Sequence, residues 1–172
     1  PAEAQTVAGN ILGAEIKKLT VEKVLVEEKL NIANEYYIGV IIDPSMEARC
    51  PVVMFSTEGG MDIESVPSEK IAQMKVDVLH GFRVYDALNL AVRLKVPTQF
   101  LPAIAQAIMG LYQTFKDYNC RTAEINPLVV TKDGKVIAGD CRIAIDDSSV
   151  YRHPEFGIEV ARESPTPPTE LD

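Results

Sequence analysis

The sequence predicts an α+β domain: a mainly antiparallel sheet with helices packed against it. Three observations point there. Short β-branched runs bounded by turn residues flank a helical middle. The order is helix, strands, helices, strands, and not a strict alternation of strand and helix. The strands are joined by turn chemistry, at Asp43-Pro44, at Glu58-Gly59-Gly60 and at Asp133-Gly134.

Taken in order, Val7, Ile11, Leu12, Ile16 and Leu19 recur at helical spacing, which predicts an amphipathic helix over 3–18. Val24-Leu25-Val26 reads as a short strand. Glu35 to Ile42 and Pro51 to Ser56 read as two more, paired as a hairpin with a long loop. Ile71 to Leu79 reads as a helix, as does Tyr85 to Lys95, which Pro97 ends. Pro102 to Tyr118 carries the clearest helical pattern: proline sits early, and Ile104, Ile108, Leu111 and Phe115 share a face. Thr122 to Thr131 and Lys135 to Ile145 are predicted strands around Asp133-Gly134. The segment Glu163 to Asp172, with Pro165, Pro167 and Pro168, reads as a linker or tail, so residues 1–160 are expected to form the domain and 161–172 a Pro-rich extension.

The bulk properties narrow the function. The chain has 172 residues and a formal net charge of -8, which argues against a nucleic-acid partner needing a basic surface. Aromatic residues make up 6%, with no Trp, so base-stacking platforms are not expected. No apolar run approaches the roughly 20 residues that span a bilayer. The start, Pro1-Ala2-Glu3-Ala4, has neither a basic beginning nor an apolar core of a signal peptide. Cys50, Cys120 and Cys141 lack metal-ligand spacing; they read as small apolar core residues in a reducing, cytoplasmic setting.

The most unusual stretch is Glu124-Ile-Asn126-Pro-Leu128-Val-Val130. Strand alternation predicts that Glu124, Asn126, Leu128 and Val130 share a face, two polar groups at one end of an apolar row. The return strand carries Asp140 near the same end. Register decides whether Asn126 and Asp140 meet. A two-residue loop at Asp133-Gly134 sets Asn126 opposite Cys141. A three-residue loop, Lys132-Asp133-Gly134, sets it opposite Asp140 and calls for Gly134 at positive φ. An amide oxygen and a carboxylate are hard ligands. Two of them suit a Mg²⁺ that keeps waters and takes its other ligands from phosphates.

Glu124-Ile-Asn-Pro-Leu-Val-Val-Thr-Lys-Asp-Gly with Gly139-Asp140 resembles the end of the ATP-grasp domain in succinyl-CoA synthetase beta subunits. So do Ser56-Thr-Glu-Gly-Gly-Met-Asp-Ile-Glu64 and Val24-Leu-Val-Glu27 followed by Asn34-Glu35-Tyr-Tyr-Ile-Gly-Val. Asp146-Asp147, Tyr151-Arg152 and Pro154 resemble a diverged form of the segment after the metal-binding aspartate. The resemblance covers residues 24–154, the later portion of an ATP-grasp-type domain. It implies that Asn126 and Asp140 are Mg²⁺ ligands. Glu27, Leu30 (through its backbone) and Glu35 become nucleotide contacts, for ATP or GTP. Glu124 stands near a phosphohistidine delivered by an alpha-type, CoA-binding subunit. His80 and His153 are not that histidine and read as structural or exposed. Thr57-Glu58-Gly59-Gly60 lacks the lysine and helix spacing of a phosphate loop, so conformational need explains its glycines.

The implied reaction converts acid, CoA and NTP to acyl-CoA, NDP and phosphate, as in the tricarboxylic acid cycle, in the cytoplasm or a mitochondrial matrix. The family's phosphate-covering segment and its later ligase domain are not expected in these 172 residues, so the chain alone is expected to be poorly active. The other reading is a non-catalytic assembly or regulatory piece that keeps the fold.

Overall fold

The computed structural model describes residues 2–16, 18–43 and 50–157. The Pro-rich tail, 161–172, and the turn beyond Asp43 lie outside the described residues. The chain divides into two units, residues 1–31 and 32–172.

In the first unit, α1 (Ala2–Ile11) is followed by the two-residue strands β1 (Glu15–Ile16) and β2 (Leu19–Thr20), which pair as a hairpin. The helix predicted over 3–18 therefore ends at Ile11, seven residues early. Gly13 has φ 79°, and its N–H goes to the Val21 carbonyl at 2.9 Å instead of continuing the helical ladder. The predicted strand Val24–Val26 is also absent: residues 21–31 have no helix or ladder, and Leu25 and Val26 are exposed. A β-branched run becomes a strand only beside another backbone.

In the second unit a six-stranded sheet runs in the order β5-β4-β3-β6-β7, with β8 also on β6. Its strands are β3 (Ile32–Ile42), β4 (Pro51–Ser56), β5 (Ile71–Lys75), β6 (Cys120–Thr131), β7 (Val136–Ala138) and β8 (Cys141–Ile145). Every pairing is antiparallel. Residues 71–79 are thus not a helix. Ala72, Met74 and Val76 alternate with polar Gln73 and Lys75, a period of two, and β5 completes its hydrogen bonds on β4.

The helices α2 (Val84–Arg93) and α3 (Leu101–Asp117) cover one face. At the start of α2, Asp86 accepts the Arg83 backbone N–H at 2.9 Å. The predicted face of α3, Ile104, Ile108, Leu111 and Phe115, is buried against Tyr36, Ile38 and Val40 of β3 and Val53 and Phe55 of β4. The alternate residues of β3, Tyr37, Gly39 and Ile41, face the other side, where the segment after β4 returns.

Candidate metal and nucleotide site

The β6–β7 turn settles the register. Thr131 N–H bonds the Lys135 carbonyl at 2.9 Å, Gly134 N–H bonds the Thr131 carbonyl at 2.9 Å, and Gly134 has φ 85°. This is the three-residue loop with a left-handed glycine. Val130 pairs with Val136 and Leu128 with Ala138. Beyond the break Ile125 pairs with Cys141 and Glu124 with Arg142. Asn126 therefore lies opposite Asp140, and its N–H bonds the Asp140 carbonyl at 3.2 Å.

The predicted face is wrong in its lower half. Ala123 and Ile125 lie in the helix-side core, and so do Leu128 and Val130. Two steps on β3, Tyr36 to Ile38, span three on β6, Leu128 to Ile125. That bulge holds Asn126 and the cis-peptide Pro127, and it shifts the alternation by one residue. Glu124 and Asn126 thus share a face with each other, but not with Leu128 and Val130. The return strand breaks at the same level, at Gly139-Asp140, so the predicted strand 135–145 is two strands.

Asn126 is fixed by the segment after β4. Its Oδ1 accepts from Gly60 N–H at 2.7 Å, and its Nδ2 donates to the Met61 carbonyl at 2.9 Å. Gly59 N–H bonds the Glu35 carbonyl at 3.1 Å. A methyl group on Gly60 would lie 3.3 Å from a Glu35 carboxylate oxygen. Glu35, the glycine turn, Asn126 and Asp140 therefore form one constellation. Gly60 has φ 73°, and the Cβ position of Gly59 is filled by Tyr36 backbone, so both glycines are conformationally required.

Glu124 lines an adjacent cavity of about 300 Å³ with Tyr37, Glu64 and Arg142. The Tyr37 hydroxyl donates to Glu124 Oε2 at 3.3 Å. Burial first, then the charge and hydrogen bond of Glu124, then Glu64, push the phenol well above its usual range, so it remains a donor. Tyr37, Glu64 and Arg142 escaped the sequence reading because each reaches Glu124 from a different element: Tyr37 from β3, Arg142 from opposite it on β8, and Glu64 from the segment after β4.

Glu27 and Leu30 lie in the first unit, in its stretch without helix or strand; Glu27 is exposed and Leu30 half-buried. Of the histidines, His80 is exposed beside Asp77, whereas the His153 side chain is 12% exposed, with Asn119 Oδ1 at 3.0 Å and Glu155 Oε1 at 3.2 Å from its ring nitrogens. The cysteines depart from expectation: only Cys120 is buried, Cys50 is half-buried and Cys141 exposed.

Among the described residues, no three His, Cys, Asp or Glu side chains converge on one point. A metal here would rest on Asn126 and Asp140, and the donor set fits a hard cation. Asp140 is exposed and spends Oδ1 on the Cys141 N–H at 2.8 Å, which leaves most of its lone-pair capacity. The Asn126 oxygen keeps a second lone pair beside the Gly60 bond.

The charge of Asp140 has a local reporter. Partial desolvation of its sulfur first, then the charges of Asp140 and Glu124, hold the Cys141 thiol above its ordinary value, although the residue as a whole is exposed. Asp140→Asn is expected to lower it. Alkylation of Cys141 by iodoacetamide at pH 8, followed by peptide mass spectrometry, should then accelerate, because only the thiolate reacts. An unchanged rate would mean that Asp140 contributes nothing and that desolvation and Glu124 set the thiol.

Sheet, helices and constellation together define the fold class, and comparison with known proteins agrees. The family model described as "ATP-grasp domain" matches residues 1–130, and the chain belongs to that family. More particularly, its relatives are beta subunits of succinate–CoA ligases. It is 41% identical over 159 residues to the ADP-forming subunit of Methanothermobacter thermautotrophicus, covering 91% of this chain and 43% of that protein. It is 42% identical over 170 residues to the GDP-forming subunit of Thermus thermophilus, covering 96% and 44%. The chain thus spans a little over two fifths of these relatives. Among solved structures, ATP citrate lyase from Methanothrix soehngenii, in complex with citrate and coenzyme A, superposes with a TM-score of 0.67 at 22% identity, covering 98% of this chain and 39% of that one. At that identity the likeness speaks for the fold alone.

Proposed function

We infer that this chain is the nucleotide- and Mg²⁺-holding portion of an acid–CoA ligase of the succinate–CoA ligase type. The observation that carries this is the pairing of Asn126 with Asp140 across the hairpin, joined to Glu35 through the Gly59-Gly60 turn. Kinship with ADP- and GDP-forming beta subunits supports the reaction: acid, CoA and NTP give acyl-CoA, NDP and phosphate. The phosphoryl group would pass through a histidine on an alpha-type, CoA-binding partner.

Asn126 and Asp140 would hold the Mg²⁺ of a bound ATP or GTP. When bound, that ion supplies neutralisation and alignment of phosphate oxygens, the main requirement of phosphoryl transfer. Glu35 would accept from nucleotide hydroxyls; for Glu27 and the Leu30 backbone, in the first unit, the family resemblance alone supports a nucleotide contact. Glu124, steadied by the Tyr37 hydroxyl, would accept from the partner's imidazole and fix its tautomer. A reducing compartment, cytoplasm or mitochondrial matrix, suits three free cysteines.

The test is calorimetric titration of the chain with ADP and GDP, with Mg²⁺ and with chelator, alone and joined to an alpha-type subunit. Binding that Mg²⁺ strengthens is expected, with the tighter nucleotide naming the specificity. No Mg²⁺-dependent binding in either state would refute the reading.

A further inference from the structure

The Asn126 amide is held from both sides by one short piece of backbone, with donor Gly60 N–H on its oxygen and acceptor Met61 carbonyl on its nitrogen. Because the two bonds come from adjacent residues, they fix the sense of the amide as well as its place. Exchanging O and N would set donor against donor and acceptor against acceptor. The turn that supplies them is itself pinned. Gly59 bonds the Glu35 carbonyl, and a Cβ there would lie 2.7 Å from the Tyr36 backbone N and C atoms.

We propose that the Gly59-Gly60-Met61 turn is the positioning element of Asn126, and that position 126 takes an amide because a carboxylate cannot satisfy a backbone donor and a backbone acceptor at once. The second clause rests on the reading of Asn126 as an oxygen ligand for Mg²⁺ beside Asp140. An aspartate would be the stronger ligand by charge alone. Here it would direct an oxygen at the Met61 carbonyl oxygen, an unpaired and repulsive contact that loosens the turn. It would also cancel the cation's remaining charge. With one amide and one carboxylate, a bound Mg²⁺ keeps net positive charge to offer a phosphate.

The test uses the full chain, labelled with ¹⁵N, with Mg²⁺ alone as the probe. In Asn126→Asp, the backbone amides of residues 59–62 should shift and exchange at least about tenfold faster. Mg²⁺ should bind this variant no more tightly than wild type, despite the added charge. In Gly60→Ala, which strains a positive φ without touching residue 126, the Asn126 side-chain NH₂ signals should move and Mg²⁺ affinity fall by about tenfold. The proposal is overturned if Asn126→Asp leaves the turn amides in place and binds Mg²⁺ about tenfold more tightly. Should Asn126→Asp fail to fold, unmoved NH₂ signals and unchanged affinity in Gly60→Ala overturn it. Wild-type Mg²⁺ affinity in Asp140→Asn would sink the metal reading separately; the turn signals, which need no metal, still decide the positioning claim.

Discussion

Gly59→Ala is expected to destabilise the fold by about 3 kcal/mol, at the upper end of what overpacking costs. The added methyl would meet the backbone carbonyl oxygen of Tyr36 and lie 2.7 Å from its N and C atoms. A side chain could rotate away, but backbone in the middle of β3 cannot move without disturbing its ladders to β4 and β6. Relief by shifting the turn would stretch the Gly59–Glu35 hydrogen bond instead. Gly110→Ala provides the contrast. That glycine lies inside α3 with nothing within 4 Å of the Cβ position, so alanine there should stabilise by about 0.5–1 kcal/mol. Urea unfolding followed by circular dichroism reads both. A Gly59→Ala midpoint at or above that of wild type would show that the close approach is not a constraint.

The two glycines illustrate what a sequence discloses. Glu58-Gly59-Gly60 announced a turn, and turn chemistry is local. Which backbone would press on Gly59 was not legible, because Tyr36 is 23 residues away and reaches it only through the sheet. The same division runs through the chain. α2, α3, β3, β4 and the Asp133-Gly134 loop were readable, since each is coded by its own period or turn residues. Residues 71–75 were misread because Ala, Gln, Met and Lys favour helix locally, while the edge of β4 offers a ladder. Val24–Val26 failed in the opposite sense, with strand propensity and no ladder beside it in its unit.

At the site, the sequence narrowed the register to two and misjudged the face. It offered a two-residue and a three-residue loop; the left-handed Gly134 and the Thr131–Lys135 hydrogen bond select the second, which sets Asn126 opposite Asp140. The alternation then slipped by one at the bulge, because β3 and β6 pair across some ninety residues and the mismatch exists only between them. The slip has a consequence for chemistry. It turns Ile125 and Leu128 both into the core while Asn126, between them, reaches the Gly60-Met61 backbone on the far side. A regular strand with Leu128 and Val130 buried would have buried Asn126 with them. The polar constellation therefore depends on the irregularity, and the bulge is as much a part of the site as the side chains.

Asp140→Ala in an assembly that binds Mg-nucleotide is expected to weaken that binding by at least about 10²-fold, since loss of a supporting residue alone costs about 10–100-fold at metal sites and Asp140 would supply the charged member of the protein's ligand pair. The same variant should leave the fold intact. Asp140 is exposed, and its side-chain bond to the Cys141 N–H at 2.8 Å sits at the surface, where water can replace it. Asp140→Asn separates the two roles: an amide oxygen can still accept from Cys141, but the charge is gone. If charge is what the site requires, the Asn variant should resemble the Ala variant in Mg²⁺-dependent affinity and wild type in thermal stability. Binding measured in chelator should be equal in all three, because the nucleotide contacts proposed for Glu27, Leu30 and Glu35 do not involve the hairpin carboxylate. Wild-type affinity in both variants would move the metal elsewhere. Equal losses with and without Mg²⁺ would instead mean that Asp140 shapes the pocket and does not hold the ion.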